Sequence, residues 1–148
     1  MTNLSPLQIE RLKYQPKLPS SLANGINHLV SKEGSATESV ANQEEIKALF
    51  KNTYGKPTVT FETSSASSTS EIRNVGVILS GGQAPGGHNV IAGLYDALKQ
   101  ANSANKLYGF LGGPSGIIEG KYVEFTDSFI DEYRNTGGFD IIGSGRTK

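Results

Sequence analysis

The chain has 148 residues, 36% of them apolar, with fourteen basic residues balancing fourteen acidic ones and no cysteine. That length allows about one domain with a modest core, and the balanced charge gives no broad field for nucleic acid or an anionic membrane. The missing cysteines exclude disulfides, thiolate metal sites and a cysteine nucleophile together. No apolar run reaches the roughly 18 residues that span a bilayer. The amino end, MTNLSPLQIERLKYQPKLP, is charged throughout and lacks the apolar stretch of a secretory signal. A cytoplasmic protein, bound to neither membrane nor nucleic acid, is the expectation.

Residues 1–30 hold short apolar clusters interrupted by Pro6, Pro16 and Pro19, a segment expected to lie along a larger surface. Over 38–51, Val40, Ile46, Leu49 and Phe50 recur at loose helical spacing, and Gly55 and Pro57 then stop that helix. SSASSTS at 64–70 reads as a serine-rich linker. The chain is thus expected to divide into an N-terminal extension with linker, 1–70, and the first part of an α/β domain, 71–148.

The character changes from Ile72. NVGVILS (74–80) is a short continuous apolar run, which predicts a strand buried on both faces as in a parallel sheet. Val90, Ile91, Leu94, Ala97, Leu98 and Ala101 share one helix face at 3.6 periodicity, and KLYGFLG (106–112) predicts a second strand. Strand, glycine turn, helix and strand make a βαβ crossover, expected to be right-handed. KYVEF (121–125) suggests a further short strand. Ser128 and Asp131 offer an S-x-x-D cap for a helix through Arg134. GGFDIIGSG (137–145) predicts a third buried strand and a second glycine corner. The fold class is α/β, the start of a doubly wound, mostly parallel sheet behind an extended or helical N-terminal segment.

Chemistry concentrates in LSGGQAPGGHNVIAGL, residues 79–94. In open α/β sheets ligands sit at the carboxyl ends of strands, where glycine-loop amides and a helix N-terminus attract anions. Gly81, Gly82, Gln83, Gly86 and Gly87 are the candidate contacts. The dinucleotide fingerprint G-x-G-x-x-G does not match. A P-loop nearly does, since Gly82 and Gly87 have its separation, but His88 and Asn89 replace its lysine and hydroxyl. One glycine would suffice for a plain strand-to-helix connection, whereas four surround Pro85. His88, with no paired carboxylate, fits a cap or packed neighbour better than a base, and His28 reads as a surface residue. Arg146, after GSG, is either a bidentate phosphate partner or an ordinary surface arginine. With GFLGGPSG (109–116) ending the second strand, three loops are expected to converge on one sheet edge.

SPLQIERLKYQPKLP, LFKNTYGKP, VGVILSGGQAPGGHNVIAG, GFLGGPSGI and YRNTGGFDIIGSGRTK occur in that order, and together they resemble the long-chain, pyrophosphate-dependent branch of the phosphofructokinase family. The resemblance covers most of the chain and is weakest around 64–70. It implies phosphoryl transfer from inorganic pyrophosphate to the 1-hydroxyl of fructose 6-phosphate, with magnesium required. It also implies a donor-binding role for the second domain, and a homodimer or hetero-oligomer. Gly82 and Arg146 match positions that contact the donor phosphates in the family. Pro114 stands where ATP-using relatives often carry a tyrosine beside the nucleotide, and Gln83 replaces the aspartate of their GGDAPG loop.

Members of this branch are several times longer. The family's G-G-D-D and T-I-D-x-D segments, with its magnesium ligands, catalytic aspartate and sugar-phosphate residues, would follow Lys148. No catalytic or metal-binding residue is therefore assigned within these 148 residues, which read as an N-terminal fragment with part of a donor site and no activity alone. Two alternatives stay open: a catalytically silent regulatory relative, and an unrelated nucleotide-binding α/β module.

Overall fold

The computed structural model describes residues 4–146. Met1–Asn3, Thr147 and Lys148 lie outside the described residues, and with them the last two positions of the GSGRTK corner. The elements in chain order are α1 (Pro6–Lys13), β1 (Leu29–Ala36), α2 (Gln43–Leu49), β2 (Pro57–Thr63), β3 (Asn74–Val77), α3 (Gly87–Ala101), β4 (Lys106–Phe110), α4 (Pro114–Glu119), β5 (Tyr122–Glu124) and α5 (Asp127–Tyr133). The chain falls into two compact units: Leu18–Ser68, and the residues up to Lys17 together with those from Thr69 onward.

In the Leu18–Ser68 unit, β1 and β2 pair antiparallel from Leu29↔Thr63 to Glu33↔Val59, with an irregularity before Ala36↔Pro57. Neither strand was anticipated. Almost every side chain in them is exposed; β1 (LVSKEGSA) shows no alternation, and the alternation of Pro57, Val59 and Phe61 with Thr58, Thr60 and Glu62 in β2 went unread. The expected helix over 38–51 shrinks to α2. Val40 falls before it in full exposure, and Asn42, at left-handed φ 52°, starts it.

The other unit contains the core. β3 and β4 pair in parallel, and β5 joins β4 antiparallel, so the sheet is mixed and its order is β3-β4-β5. The α/β class and the strand–turn–helix–strand path are as expected. One sheet face carries Val75, Val77, Leu107 and Val123, which pack with Ile91, Ala92, Tyr95, Phe125, Ile130, Ile141 and Ile142. Gly109 lies on this face because a Cβ there would stand 2.5 Å from both Ile142 and Phe125. The other face bears Asn74, Gly76, Tyr108, Phe110 and Tyr122, with Tyr122 edge-on to Tyr108 and Phe110.

Several expectations need correction. NVGVILS is not a strand buried on both faces: β3 ends at Val77, leaves Asn74 and Gly76 exposed and buries Val75 and Val77 only partly. GGFDIIGSG makes no third strand. Gly137 and Gly143 have left-handed φ of 71° and 66°, which bends the segment out of extended geometry, and only the Ser80↔Gly145 bridge remains. The inward stripe of α3 is rotated, with Val90 66% exposed and Tyr95, at 4%, in its core. Thr126 rather than Ser128 caps α5, accepting from Phe129 N–H at 3.3 Å.

Polar contacts lock the helices together. Arg134 binds Asp96 of α3 through both Nη atoms and Asp131 of α5 through Nε, which raises the guanidinium's pKa further, the Asp96 bond contributing most. Asn135, left-handed at φ 58°, donates its side-chain amide to the carbonyls of Arg11 and Tyr14 at the end of α1. Among the described residues no helix is long and apolar enough to cross a membrane.

Tyr95 donates its hydroxyl to Asp127 Oδ1 at 2.7 Å. Burial first, then that bond and the Asp127, Asp96 and Asp131 charges, push its pKa from 10.0 up to about 12. The folded state thus keeps the phenolic proton to higher pH than the unfolded chain does. This stabilising contribution is intact below about pH 10 and is lost as the pH climbs through about 12. Alkaline titration by tyrosinate absorbance is expected to show one late tyrosine. Tyr95→Phe should remove the late step and flatten the accompanying fall in stability.

Candidate functional site

Because β3 and β4 run parallel, the turns that leave them stand at the same sheet edge. The segment after Ile142 reaches that edge through the Ser80↔Gly145 bridge. Gly81 N–H donates to Gly145 O at 3.0 Å, and Gly112 N–H to Ile142 O at 2.8 Å. Side chains would not fit. A Cβ on Gly113 would stand 2.6 Å from Gly145 N, and one on Gly145 would run into the Gly112 carbonyl. The three glycine loops come together.

The corner itself has two halves of different character. In the rear half, Gly86 N–H donates to Gly137 O at 2.7 Å and His88 N–H to Gly138 O at 2.9 Å. Gly87 is buried, and the Phe139 ring occupies the space its side chain would need. Gly86 and Gly87 therefore serve packing and the left-handed entry to α3, where Gly86 has φ 95°. The front half is open. Nothing stands within 4 Å of a Cβ built on Gly81, whose φ is 104°, and only Arg146 Nη2 approaches one on Gly82, at 3.7 Å. The amide of Gly81 is taken by Gly145. Among the described residues, no acceptor takes those of Gly82, Gln83 or Ala84.

Arg146 is exposed, and no carboxylate pairs with it among the described residues. A bare guanidinium beside Gly82, with three amides left unpaired among the described residues at the approach to a fifteen-residue helix, is a place where negative charge is stabilised. An open groove lined by Gln83, Ala84, Pro85, Gly137, Gly138 and Phe139 adjoins it.

His88 is a packed neighbour, 3% exposed. Its Nδ1 meets Thr136 Oγ1 at 2.5 Å, and its Nε2 accepts from Asp140 N–H at 3.0 Å and Ile141 N–H at 3.1 Å. His28 is half-buried, its Nδ1 3.1 Å from Ser64 O. Neither Thr136 nor Asp140 was singled out from the sequence, since their link to His88 spans 48 and 52 residues. Among the described residues no three acidic, histidine or cysteine side chains cluster as metal ligands.

No family model matches the chain. Over 144 residues, 97% of the chain, it is 56% identical to the pyrophosphate–fructose 6-phosphate 1-phosphotransferase of Porphyromonas gingivalis. Over nearly its whole length the chain is similar to pyrophosphate-dependent phosphofructokinases. Proteins of the same name from Entamoeba histolytica and Treponema pallidum are 47% and 46% identical over 99% of the chain. The chain spans about a quarter of these relatives' length, 26%, 27% and 27% respectively.

Convergence of the loops makes Gly113 a sensitive position, since its φ of 83° and its closeness to the Gly145 backbone both exclude a side chain. Gly113→Ala is expected to lower stability by about 2 kcal/mol or more, measured by urea unfolding.

Proposed function

We propose that this chain forms part of the phosphoryl-donor site of an enzyme that transfers a phosphoryl group from inorganic pyrophosphate to fructose 6-phosphate, giving fructose 1,6-bisphosphate reversibly. The observation that carries the reading is the set of Gly82, Gln83 and Ala84 amides and the Arg146 guanidinium beside Gly82, all without a partner among the described residues. The relatives' names supply the two substrates.

Phosphoryl transfer depends on positioning and charge neutralisation more than on covalent chemistry from the protein. The front-half amides hold one end of the donor by hydrogen bonds, and the Arg146 guanidinium offsets its charge. Gly81 and Gly86 shape the turn that aims those amides, and Gly87 seats it against Phe139. Pro114, opening α4, presents no aromatic ring for a nucleotide base, which supports a donor without adenosine. Pyrophosphate carries more negative charge than one guanidinium can offset, so magnesium held by residues other than those described is the expected counter-charge. The open, uncollapsed corner favours a catalytic subunit over a silent one. A homodimer or hetero-oligomer in the cytoplasm is proposed from the family resemblance.

In the natural polypeptide carrying this sequence, at its full length, Arg146→Ala is expected to raise KM for pyrophosphate about tenfold or more while KM for fructose 6-phosphate stays within about twofold. Arg146→Lys should recover only part of the loss, because an ammonium cannot pair bidentately. An unchanged pyrophosphate KM in Arg146→Ala overturns the donor-site reading. The 148-residue chain alone, given pyrophosphate, magnesium and fructose 6-phosphate, is expected to show no turnover above a buffer blank.

A further inference from the structure

His88 lies in the corner motif, yet nothing in the donor-site reading uses it. Its ring is buried, and every polar atom on it is engaged by one segment, Thr136–Ile141. The Thr136 hydroxyl gives its own hydrogen to Tyr133 O at 2.6 Å, so it receives the one on His88 Nδ1. That leaves the Nε2 lone pair for the amides of Asp140 and Ile141. The largely exposed Asp140 carboxylate lies 2.8 Å from the same nitrogen and forms an ion pair with it only when the ring is protonated.

The fit continues around the ring. Tyr133 packs edge-on, its centroid 4.9 Å away, and a Cβ on Gly138 would stand 2.5 Å from His88 Cε1. His88's own backbone amide binds Gly138 O. One residue therefore grips the segment from Thr136 to Ile141 at four points. That segment supplies the Gly137–Phe139 wall of the groove beside Gln83–Pro85 and runs on through Gly145 to Arg146.

We propose that His88 is a positioning residue of the donor site: its imidazole sets the second wall of the corner and the path that delivers Arg146 above Gly82. This rests on the reading of the corner as a pyrophosphate site. The ring touches no reacting atom. It acts through the backbone it holds, by supplying an acceptor to two N–H groups that nothing else among the described residues pairs. A side chain of similar volume without that acceptor leaves the Ile141 N–H buried and unpaired, and the segment must shift to satisfy it.

The test compares His88→Phe, His88→Gln and Thr136→Val in the full-length natural polypeptide, reading KM for each substrate, kcat and thermal midpoint. His88→Phe is expected to raise KM for pyrophosphate about tenfold while KM for fructose 6-phosphate stays within about twofold. His88→Gln, whose carbonyl oxygen can accept both amides, should return the pyrophosphate KM to within about threefold of the parent. Thr136→Val removes the Nδ1 partner together with the hydroxyl's bond to Tyr133 O, and an increase of about threefold confined to pyrophosphate supports the proposal if His88→Phe does not fold. Equal rises in both KM values, or a lowered thermal midpoint with both KM values unchanged, overturn it and leave His88 a packing residue. If Arg146→Ala, run alongside, leaves the pyrophosphate KM unaltered, the donor-site reading falls and this proposal with it. If only the His88 and Thr136 variants behave like the parent, this proposal alone falls.

Discussion

The bond from Gly81 N–H to Gly145 O, with the main chains of Gly113 and Gly145 stacked beside it, is the contact on which the site's architecture depends. It joins residues 64 positions apart without any side chain between them, and backbone can approach backbone this closely only where Cβ atoms are missing. The next residue after Gly145 is Arg146, so the direction in which that guanidinium emerges is set by main-chain pairing rather than by a flexible loop.

Behind that contact stands the burial of Ile141 and Ile142, which draws the returning segment onto the sheet and against Phe125 and Gly109. Apolar burial supplies the driving force but no direction. Direction comes from the His88 ring and from the Gly86–Gly137 bond, which align the segment with the start of α3. The corner's glycines accordingly divide their work. Gly86 and Gly87 let protein pack against protein, and Gly81 and Gly82 leave amide-bearing backbone open to solvent.

Much of this was legible in the sequence because its signals are local. The apolar run at 74–80, longer than the strand Asn74–Val77 it marks, the spacing along 90–101 and the glycine punctuation each reflect one element's own chemistry. What escaped depends on tertiary context. β1 carries few buried side chains and its polar sequence looks like loop, whereas Val59 and Phe61 of β2 do alternate with polar residues but stay exposed, a signal the breakers Gly55 and Pro57 masked. GGFDIIGSG has a strand's composition, yet left-handed glycines and the grip of His88 override it. Periodicity located the inward face of α3 only approximately, because Val90 and Ile91 are both apolar and just one can face the core. The partnership of His88 with Thr136 and Asp140 leaves no trace in any short window of sequence.

Asn135 connects the amino end of the protein to this machinery. Its side-chain amide holds two carbonyls at the end of α1, and its neighbour Thr136 is the first residue in the grip of His88. The end of α1 is consequently more than an approach to the sheet: the Arg11 and Tyr14 carbonyls brace the turn from which the back of the corner hangs. Trimming or fusing at that terminus, routine in handling a recombinant protein, would loosen a strut one residue away from the imidazole clamp.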